Sequence, residues 1–336
     1  RLPQLESVRM RRKAVERGIP LFTSLDTANA LANALTSRYS LGNVELVDIN
    51  NMRTKHKKLT FTKMRGTGND YLYFDCFDQT VESPESLAVR LSNRRTGVGS
   101  DGIMLIMPST IADAKMRMFN ADGTEGSVAG NALRCVCKYL YENGHVRKAE
   151  MAVETGSGVK TAKLFIREDQ VFSVLVDMGC PAFAPAKIPV KLDGDRVMMR
   201  PVFLAGEKRE ISCVSMGNPH VVIFVEDVNR IPLEQVGPQI ETDSLFPERV
   251  NVSFAQIVDK NDIMMRVWER GIGETAACGT GACAVAVAAV ENGFCTRGAD
   301  IDVRLPGGTL VVRYQEDGKV WLTGDANTDF TGTIEI

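Results

Sequence analysis

The chain lacks the residue patterns that mark several large classes of protein. It contains three histidines, and no two of its eight cysteines are separated by two residues, so the spacing indicates neither a zinc site nor a disulfide framework. The formal net charge is -2 and no basic stripe carries interleaved aromatics, which argues against binding to nucleic acid or a membrane surface. No apolar run approaches the roughly 20 residues of a membrane span, and no signal-peptide pattern opens the chain. We therefore expect a cytoplasmic protein.

Length and composition indicate a globular protein with more than one core. The 336 residues are 44% hydrophobic and 24% charged, which is enough to bury at least two cores of typical domain size. Strand patterns outnumber helix patterns from Leu59 onward, and helices are predicted at residues 84–93, 130–141 and 279–291. The last two helices are apolar on nearly every side, so we expect them to be enclosed by sheets.

An internal repeat organises this prediction. At an offset of 149 residues, residues 119–144 fall on residues 268–293 without a gap. We predict an α+β fold of two pseudo-symmetric lobes, each a sheet wrapped around a central helix, with the active-site cleft between them. The predicted boundaries are residues 1–57 for an N-terminal α/β fragment and linker, 58–178 for the first lobe, 179–325 for the second, and 326–336 for a C-terminal strand that returns to the first lobe.

A turn of small residues opens the central helix of each repeat. The turns read Ala-Gly-Asn from Ala129 and Cys-Gly-Thr from Cys278. Free backbone N–H groups and the positive end of the helix dipole make such a turn a carboxylate site, and glycine lets the ligand approach the main chain. The same field lowers the pKa of a cysteine, which would make Cys278 a thiolate base at neutral pH. The alternative is that Cys278 is a small buried residue and the glycines serve packing.

Polar residues at strand ends and turns accompany the two helix starts. They are Asn69, Asn120, Asn218, His220, Asn251, Glu269 and Arg270. An arginine, several amides and two helix N-termini suit an amino acid that carries more than one carboxylate. The alternative for each asparagine is a turn cap, and the alternative for His220 is a structural role.

From about Leu59 to its C-terminus the chain resembles the diaminopimelate epimerase family. The motifs that carry the resemblance, in the family's order, are KMRGTGNDY, GVGSDG, FNADGTE, AGNALRC, SMGNPH, FPERVN, ERGIGETAACGTGA and LPGG. The resemblance implies inversion of the α-carbon of LL-diaminopimelate to the meso form without a cofactor, a step of lysine and peptidoglycan precursor synthesis. One cysteine thiolate would take the α-proton, and a second cysteine thiol would return a proton to the other face.

The resemblance also implies roles for individual residues. Cys278 would be one of the two thiols, Ala129 occupies the position of the other, and His220 and Glu269 would assist. The substrate would be held by Asn69, Asn120, Gly130, Asn131, Asn218, Asn251, Arg270, Gly279 and Thr280. The partner would be a small molecule, with no nucleic acid, membrane, metal or cofactor, and a homodimer is left open.

The chain departs from the family at Ala129, where the motif usually carries cysteine. An alanine methyl neither donates nor accepts a proton, so the two-thiol route lacks one of its groups. Cys135 and Cys137 lie roughly 9 and 12 Å further along the helix at 1.5 Å per residue, too far to reach the same carbon. We expect impaired catalysis, either because a replacement has left only binding intact or because Cys278 works alone, with water or His220 on the other face.

Three other functions stay open. On the same fold, the chain would be a racemase or isomerase of another small amino acid or metabolite. Alternatively, Gly279, Gly281 and Ala284 form a GxGxxA pattern typical of dinucleotide binding, although about ten residues separate it from the preceding strand, which a Rossmann turn would follow directly. The third alternative is a ligand-binding protein without catalysis.

The first part of the chain resembles a different protein. Residues 1–53 are similar to the C-terminal end of the carbamoyl-phosphate synthase large subunit, in the segments RGIPLFTSLDTANAL and ELVDINNM. That resemblance covers only a fragment and implies no catalytic role. Residues 54–58, TKHKK, are expected to form a polar linker.

Overall fold

The computed structural model describes residues 57–126 and 130–336, together with Met10, Ala32 and residues 12–14, 16–18 and 28–29. The chain divides into two compact units, Arg1–His56 and Lys57–Ile336. In the first unit, Arg12 and Glu16 form an exposed ion pair at 3.4 Å. The predicted N-terminal α/β fragment, and its resemblance to the synthase subunit, fall largely on residues outside those described.

The second unit consists mainly of β-strands. In chain order the strands are β1 (Lys58–Gly66), β2 (Asn69–Asp75), β3 (Gly102–Met107), β4 (Ala114–Asn120), β5 (Glu125–Gly126), β6 (Glu150–Thr155), β7 (Gly158–Arg167), β8 (Gln170–Asp177), β9 (Arg200–Leu204), β10 (Glu207–Ser215), β11 (Pro219–Phe224), β12 (Asn251–Asp259), β13 (Asp262–Glu269), β14 (Gly273–Thr275), β15 (Asp300–Leu305), β16 (Gly308–Tyr314), β17 (Val320–Gly324) and β18 (Asn327–Glu335). The α-helices are α1 (Pro84–Ser92), α2 (Gly130–Glu142), α3 (Leu233–Glu241) and α4 (Gly279–Glu291), and short 3-10 turns lie at Pro185–Lys187 and Val228–Arg230. The predicted α+β class is confirmed in this mixed, strand-rich form.

The strands pair in one order that occurs twice. In the first series β1–β2, β3–β4, β6–β7 and β7–β8 are antiparallel, whereas β2–β3 and β4–β6 are parallel. In the second series β10–β11, β12–β13, β15–β16 and β16–β17 are antiparallel, whereas β11–β12 and β13–β15 are parallel. Register repeats as well, since Phe119 pairs with Glu125 and Trp268 with Glu274, each 149 residues later.

Each of the two long helices lies in its own hydrophobic core. The side chains of α2, among them Leu133 and Leu140, pack with β2, β4 and β6 to β8. Ala282 to Ala289 of α4 are fully buried against β13 and β15 to β17. Burial of one leucine of this kind stabilises the fold by about 1.5–3 kcal/mol. Helix α4 is apolar on nearly every side, whereas α2 also carries the polar residues Arg134, Lys138 and Glu142. Within the described part of the chain, no helix combines the length and the apolar character needed to span a membrane.

One antiparallel pairing joins the two series. Strand β8 pairs with β17, and Leu322 of β17 lies opposite Val176 in this ladder. At the outer ends, β18 pairs with β1 and β9 pairs with β10. The N-termini of α2 and α4 therefore lie near a shared junction, where the candidate site is found.

Candidate active site

A cavity of about 1010 Å³ opens at the starts of the two long helices. Gly130 and Asn131 of α2 line it together with Cys278, Gly279 and Thr280 at the start of α4. The two starts meet at one side chain. A methyl group built on Gly130 would lie 3.7 Å from Cδ2 of Leu322, and one built on Gly279 would lie 3.2 Å from the same atom. The N-termini of two helices thus meet at one pocket, an arrangement that favours a carboxylate.

The backbone at Cys278 starts α4. Cys278 is extended, with φ -137° and ψ 108°, and its carbonyl accepts the first helical hydrogen bond from the N–H of Ala282 at 2.9 Å. A methyl group at Gly281 would lie 3.2 Å from the Cys278 Sγ, so the thiol rests on a glycine of the first turn. The absence of a side chain at Gly281 therefore holds open the space that the thiol occupies.

The protonation of Cys278 differs from the sequence prediction. Burial raises the pKa of the Cys278 thiol well above its usual range, and the nearby carboxylate of Glu269 raises it further. The Thr280 hydroxyl at 3.6 Å and the N–H of Gly281 lower the pKa, but by less. Contrary to the predicted thiolate, burial and the neighbouring carboxylate favour the neutral thiol.

Glu269 lies at the end of β13 beside this thiol. Its carboxylate accepts a hydrogen bond of 2.6 Å from the hydroxyl of Thr275. Burial raises the pKa of Glu269, while the hydrogen bond from Thr275 opposes that shift. The carboxylate of Glu269 lies within hydrogen-bonding reach of the thiol and is therefore positioned to accept its proton.

His220 reaches the thiol indirectly. Its Nε2 lies 3.0 Å from the Asn218 Oδ1, the Asn218 Nδ2 donates to the Thr280 Oγ1 at 3.2 Å, and that hydroxyl lies 3.6 Å from the Cys278 sulfur. The ring is completely buried. Burial and the charge of Arg270 lower the pKa of His220 to about 3, so the imidazole is neutral.

Three predicted site residues, His220, Asn251 and Arg270, do not line the cavity. The side chain of Asn251 is occupied by backbone, because its Nδ2 donates to the Pro219 carbonyl at 2.8 Å and its Oδ1 accepts from the Arg270 N–H at 2.9 Å. The guanidinium of Arg270 donates to the Glu248 carbonyl at 3.1 Å. The side chains of Asn251 and Arg270 are thus engaged by backbone groups, and the roles predicted for these three residues stay predictions.

The predicted residues Asn69, Asn120 and Asn131 do line the cavity. Asn131 donates to the Asn69 Oδ1 at 2.7 Å, and Asn69 donates to Asp101 at 3.2 Å. Asn120, at the end of β4, donates to the Thr124 hydroxyl at 3.0 Å. Ala129, the predicted position of the second thiol, lies outside the described residues.

Several lining residues were missed by sequence reasoning. Among them are Tyr71, Arg94, Asp101 and Thr275. Asp101 and Thr275 belong to the GVGSDG and ETAACGT segments, so the motifs held a signal that residue type alone did not supply. Arg94, in the loop after α1, binds Asp70 of β2 at 2.6 Å and Asp101, just before β3, at 2.9 Å.

Cys278 is the one cysteine among the described residues that lines the cavity. Cys135 and Cys137 are fully buried in the core around α2, and burial raises the pKa of Cys135 to about 11. Over the part of the chain that the structure describes, no three His, Cys, Asp or Glu side chains are grouped to hold a metal ion.

Comparison with known proteins gives consistent matches over the second unit. A family profile described as Diaminopimelate epimerase matches residues 61–184 and 212–328. The chain is 47% identical over 279 residues to a diaminopimelate epimerase of Acetivibrio thermocellus, covering 83% of this chain and 99% of the relative. It is 49% identical over 285 residues to a diaminopimelate epimerase of Desulfovibrio desulfuricans, with the same coverage.

Solved structures share the fold at lower identity. A phenazine biosynthesis protein of the PhzF family from Bacillus anthracis superposes with a TM-score of 0.61 at 19% identity, covering 83% of this chain and 100% of that one. A probable proline racemase from Agrobacterium radiobacter gives a TM-score of 0.56 at 16% identity, covering 82% of this chain and 92% of that one.

Proposed function

The chain belongs to the diaminopimelate epimerase family of isomerases, and on that premise we propose that it binds LL-diaminopimelate and exchanges its α-proton without a cofactor. The observation that carries the proposal is the start of α4, where Cys278 and Glu269 lie side by side on the wall of a cavity that also receives the start of α2. Under the same proposal the enzyme acts in the cytoplasm. Homodimer formation stays a prediction.

The proposed architecture has two pseudo-symmetric lobes with the active site in the cleft between them. The repeated order of strand pairings and the separate cores around α2 and α4 support it. In this arrangement the substrate carboxylate lies between the N-termini of the two helices. Oriented N–H groups stabilise the charge that develops on the carboxylate when the α-proton leaves, because they need no reorganisation.

Cys278 provides the proton transfer on one face of the substrate. Because the thiol is neutral, its own proton first passes to the Glu269 carboxylate, and the thiolate then takes the α-proton. The reverse sequence returns a proton to the same face. Asn218 and Thr280 link His220 to the sulfur, so His220 acts through them as a positioning residue.

The opposite face lacks a thiol in the sequence. Ala129 directly precedes Gly130, the first residue of α2, and its methyl group carries no exchangeable proton. Cys135 and Cys137 are sealed in the core and do not replace it. We therefore propose that the chain binds substrate and exchanges a proton from one face, while inversion is slow.

Proton-exchange NMR in deuterated water tests the proposal. We expect loss of the α-proton signal from only one of LL- and meso-diaminopimelate, with little change of configuration. Cys278→Ala should abolish the exchange. Ala129→Cys should raise the epimerisation rate by about 100-fold or more, since a positioned acid contributes at least that much.

Two results would count against the proposal. Epimerisation by Ala129→Cys that is no faster than by the parent chain would refute the one-sided mechanism. Turnover of other amino acids without any response to diaminopimelate would favour the racemase alternative.

A further inference from the structure

A completely buried arginine lies behind the wall of the cavity. Arg134 of α2 is 0% exposed and donates to the Asp325 carbonyl at 3.0 Å, the Asn131 Oδ1 at 2.9 Å and the Thr67 hydroxyl at 2.8 Å. None of these acceptors is a carboxylate. A methyl group on Gly324 would lie 2.7 Å from the Arg134 Cζ, so a glycine keeps the space for the guanidinium. The carboxylate of Asp325 is linked to Arg134 only through the Thr67 hydroxyl, which donates to the Asp325 Oδ1 at 2.7 Å. A buried guanidinium without a directly bonded carboxylate is costly, which points to a purpose other than stability.

Arg134 begins a chain of hydrogen bonds that ends at the cavity. Asn131 donates to Asn69 at 2.7 Å, and Asn69 donates to Asp101 at 3.2 Å. A guanidinium can only donate and a carboxylate can only accept, so the two ends fix the direction of the chain. The amide oxygen of Asn131 must face Arg134, and the amide oxygen of Asn69 must face Asn131.

This direction decides what the two asparagines offer to a ligand. Each amide oxygen already accepts an N–H, and each amide nitrogen has used one of its two hydrogens. The groups left over are N–H donors, and Asn69 and Asn131 both line the cavity. We propose that Arg134 is a positioning residue that locks both amides so that they donate hydrogen bonds to the substrate carboxylate.

This chain of hydrogen bonds from Arg134 belongs to the first of the two repeats. At the offset of 149 residues the counterpart of Arg134 is Cys283, which is buried and uncharged. The counterpart of Asn131 is Thr280, whose hydroxyl receives Asn218 and contacts the Cys278 sulfur. In the second repeat the hydrogen-bonded side chains thus lead to the Cys278 thiol. In the first repeat they are oriented toward the substrate carboxylate. The inference rests on the proposed function for the identity of the ligand.

Binding of LL-diaminopimelate by calorimetry tests the role of Arg134. Arg134→Met removes the donor, and Asn131→Asp keeps the shape but cannot donate to Asn69. Each should weaken binding by about tenfold or more, the equivalent of one charge-assisted hydrogen bond. Tyr73→Phe is the matched control, because it removes a different buried hydrogen bond to α2, from the Tyr73 hydroxyl to the Ala132 carbonyl at 3.4 Å. It should change affinity by less than about twofold.

The inference is overturned if folded Arg134→Met binds as tightly as the parent, or if Tyr73→Phe weakens binding as much. Should Arg134→Met fail to fold, unchanged binding by Asn131→Asp overturns it. A second measurement needs no ligand. In Arg134→Lys the side-chain amide NMR signals of Asn69, which Arg134 does not contact, should move, whereas in Tyr73→Phe they should stay. Unmoved Asn69 signals would refute the proposed chain of hydrogen bonds from Arg134. Failure of the parent protein to bind diaminopimelate would refute only the proposed function.

Discussion

The helix field and burial act in opposite directions on the thiol of Cys278. A position at the N-terminus of α4 favours the thiolate, whereas burial, the largest of the effects that raise the thiol pKa, favours the neutral thiol. The carboxylate of Glu269 adds to the burial effect through charge repulsion. The sulfur therefore needs a proton acceptor before it can act as a base, and Glu269 is placed to be one.

Replacement of Glu269 by glutamine should lower the pKa of Cys278. The change removes the negative charge that raises the thiol pKa but keeps the side chain's shape, so alkylation of Cys278 should begin at lower pH than in the parent. Mass spectrometry of the Cys278 peptide after iodoacetamide treatment across a pH series measures this shift. Cys180, which is exposed, serves as the internal control. An alkylation profile that is unchanged or moves to higher pH would contradict the assignment.

His220 should make the folded state sensitive to acid. Burial lowers its folded pKa to about 3 from the ordinary value of 6.5. Between these values the unfolded chain binds a proton that the folded chain does not, so stability falls as pH drops below 6.5, by at most about 1.4 kcal/mol per pH unit. Urea unfolding of the parent and of His220→Gln between about pH 7 and about pH 4 measures the difference in slope. Equal slopes would show that His220 does not carry this proton.

Sequence patterns located the long helices well and missed a short one. Residues 130–141 and 279–291 were predicted as helices, and the structure has Gly130–Glu142 and Gly279–Glu291. Helix α3 was missed because Gly237 and Pro238 interrupt its pattern. A methyl group at Gly237 would lie 2.7 Å from the ring of Trp268. Glycine is therefore required here by packing against Trp268, which local sequence patterns do not reveal.

Gly281→Ala tests the fit between the first turn of α4 and the thiol. Alanine favours a helix over glycine by about 1 kcal/mol, so the variant should fold with little loss of stability. The new methyl group would lie 3.2 Å from the Cys278 sulfur and should push it from its place. We expect α-proton exchange to fall by about tenfold or more, measured by NMR alongside a thermal unfolding curve. Undiminished exchange in a folded variant would show that the sulfur has room to adjust.

The cavity depends on pairing between strands that are distant in the sequence. The repeat at 149 residues predicted equivalent helix starts, but the sequence could not predict that β8 pairs with β17 and places Leu322 beneath both of them. Arg94 was missed because its role depends on tertiary contact, since this loop residue pairs with Asp70 of β2. Resemblance supplied the candidate residues, and only the strand pairings separate those that line the cavity from His220, Asn251 and Arg270.

Removal of the two chain ends should have opposite results. The cavity-lining residues and the family match lie within Lys57–Ile336, so a chain that starts at Lys57 should bind LL-diaminopimelate as the full chain does. Removal of residues 327–336 takes away β18, the antiparallel partner of β1, and uncovers Phe61, whose ring packs on Gly332. That truncation should lower the free energy of unfolding by about 3 kcal/mol or more and promote aggregation through the freed strand edge. Urea unfolding and light scattering compare the two chains. Equal stability after loss of β18 would mean that β1 does not need its outer partner.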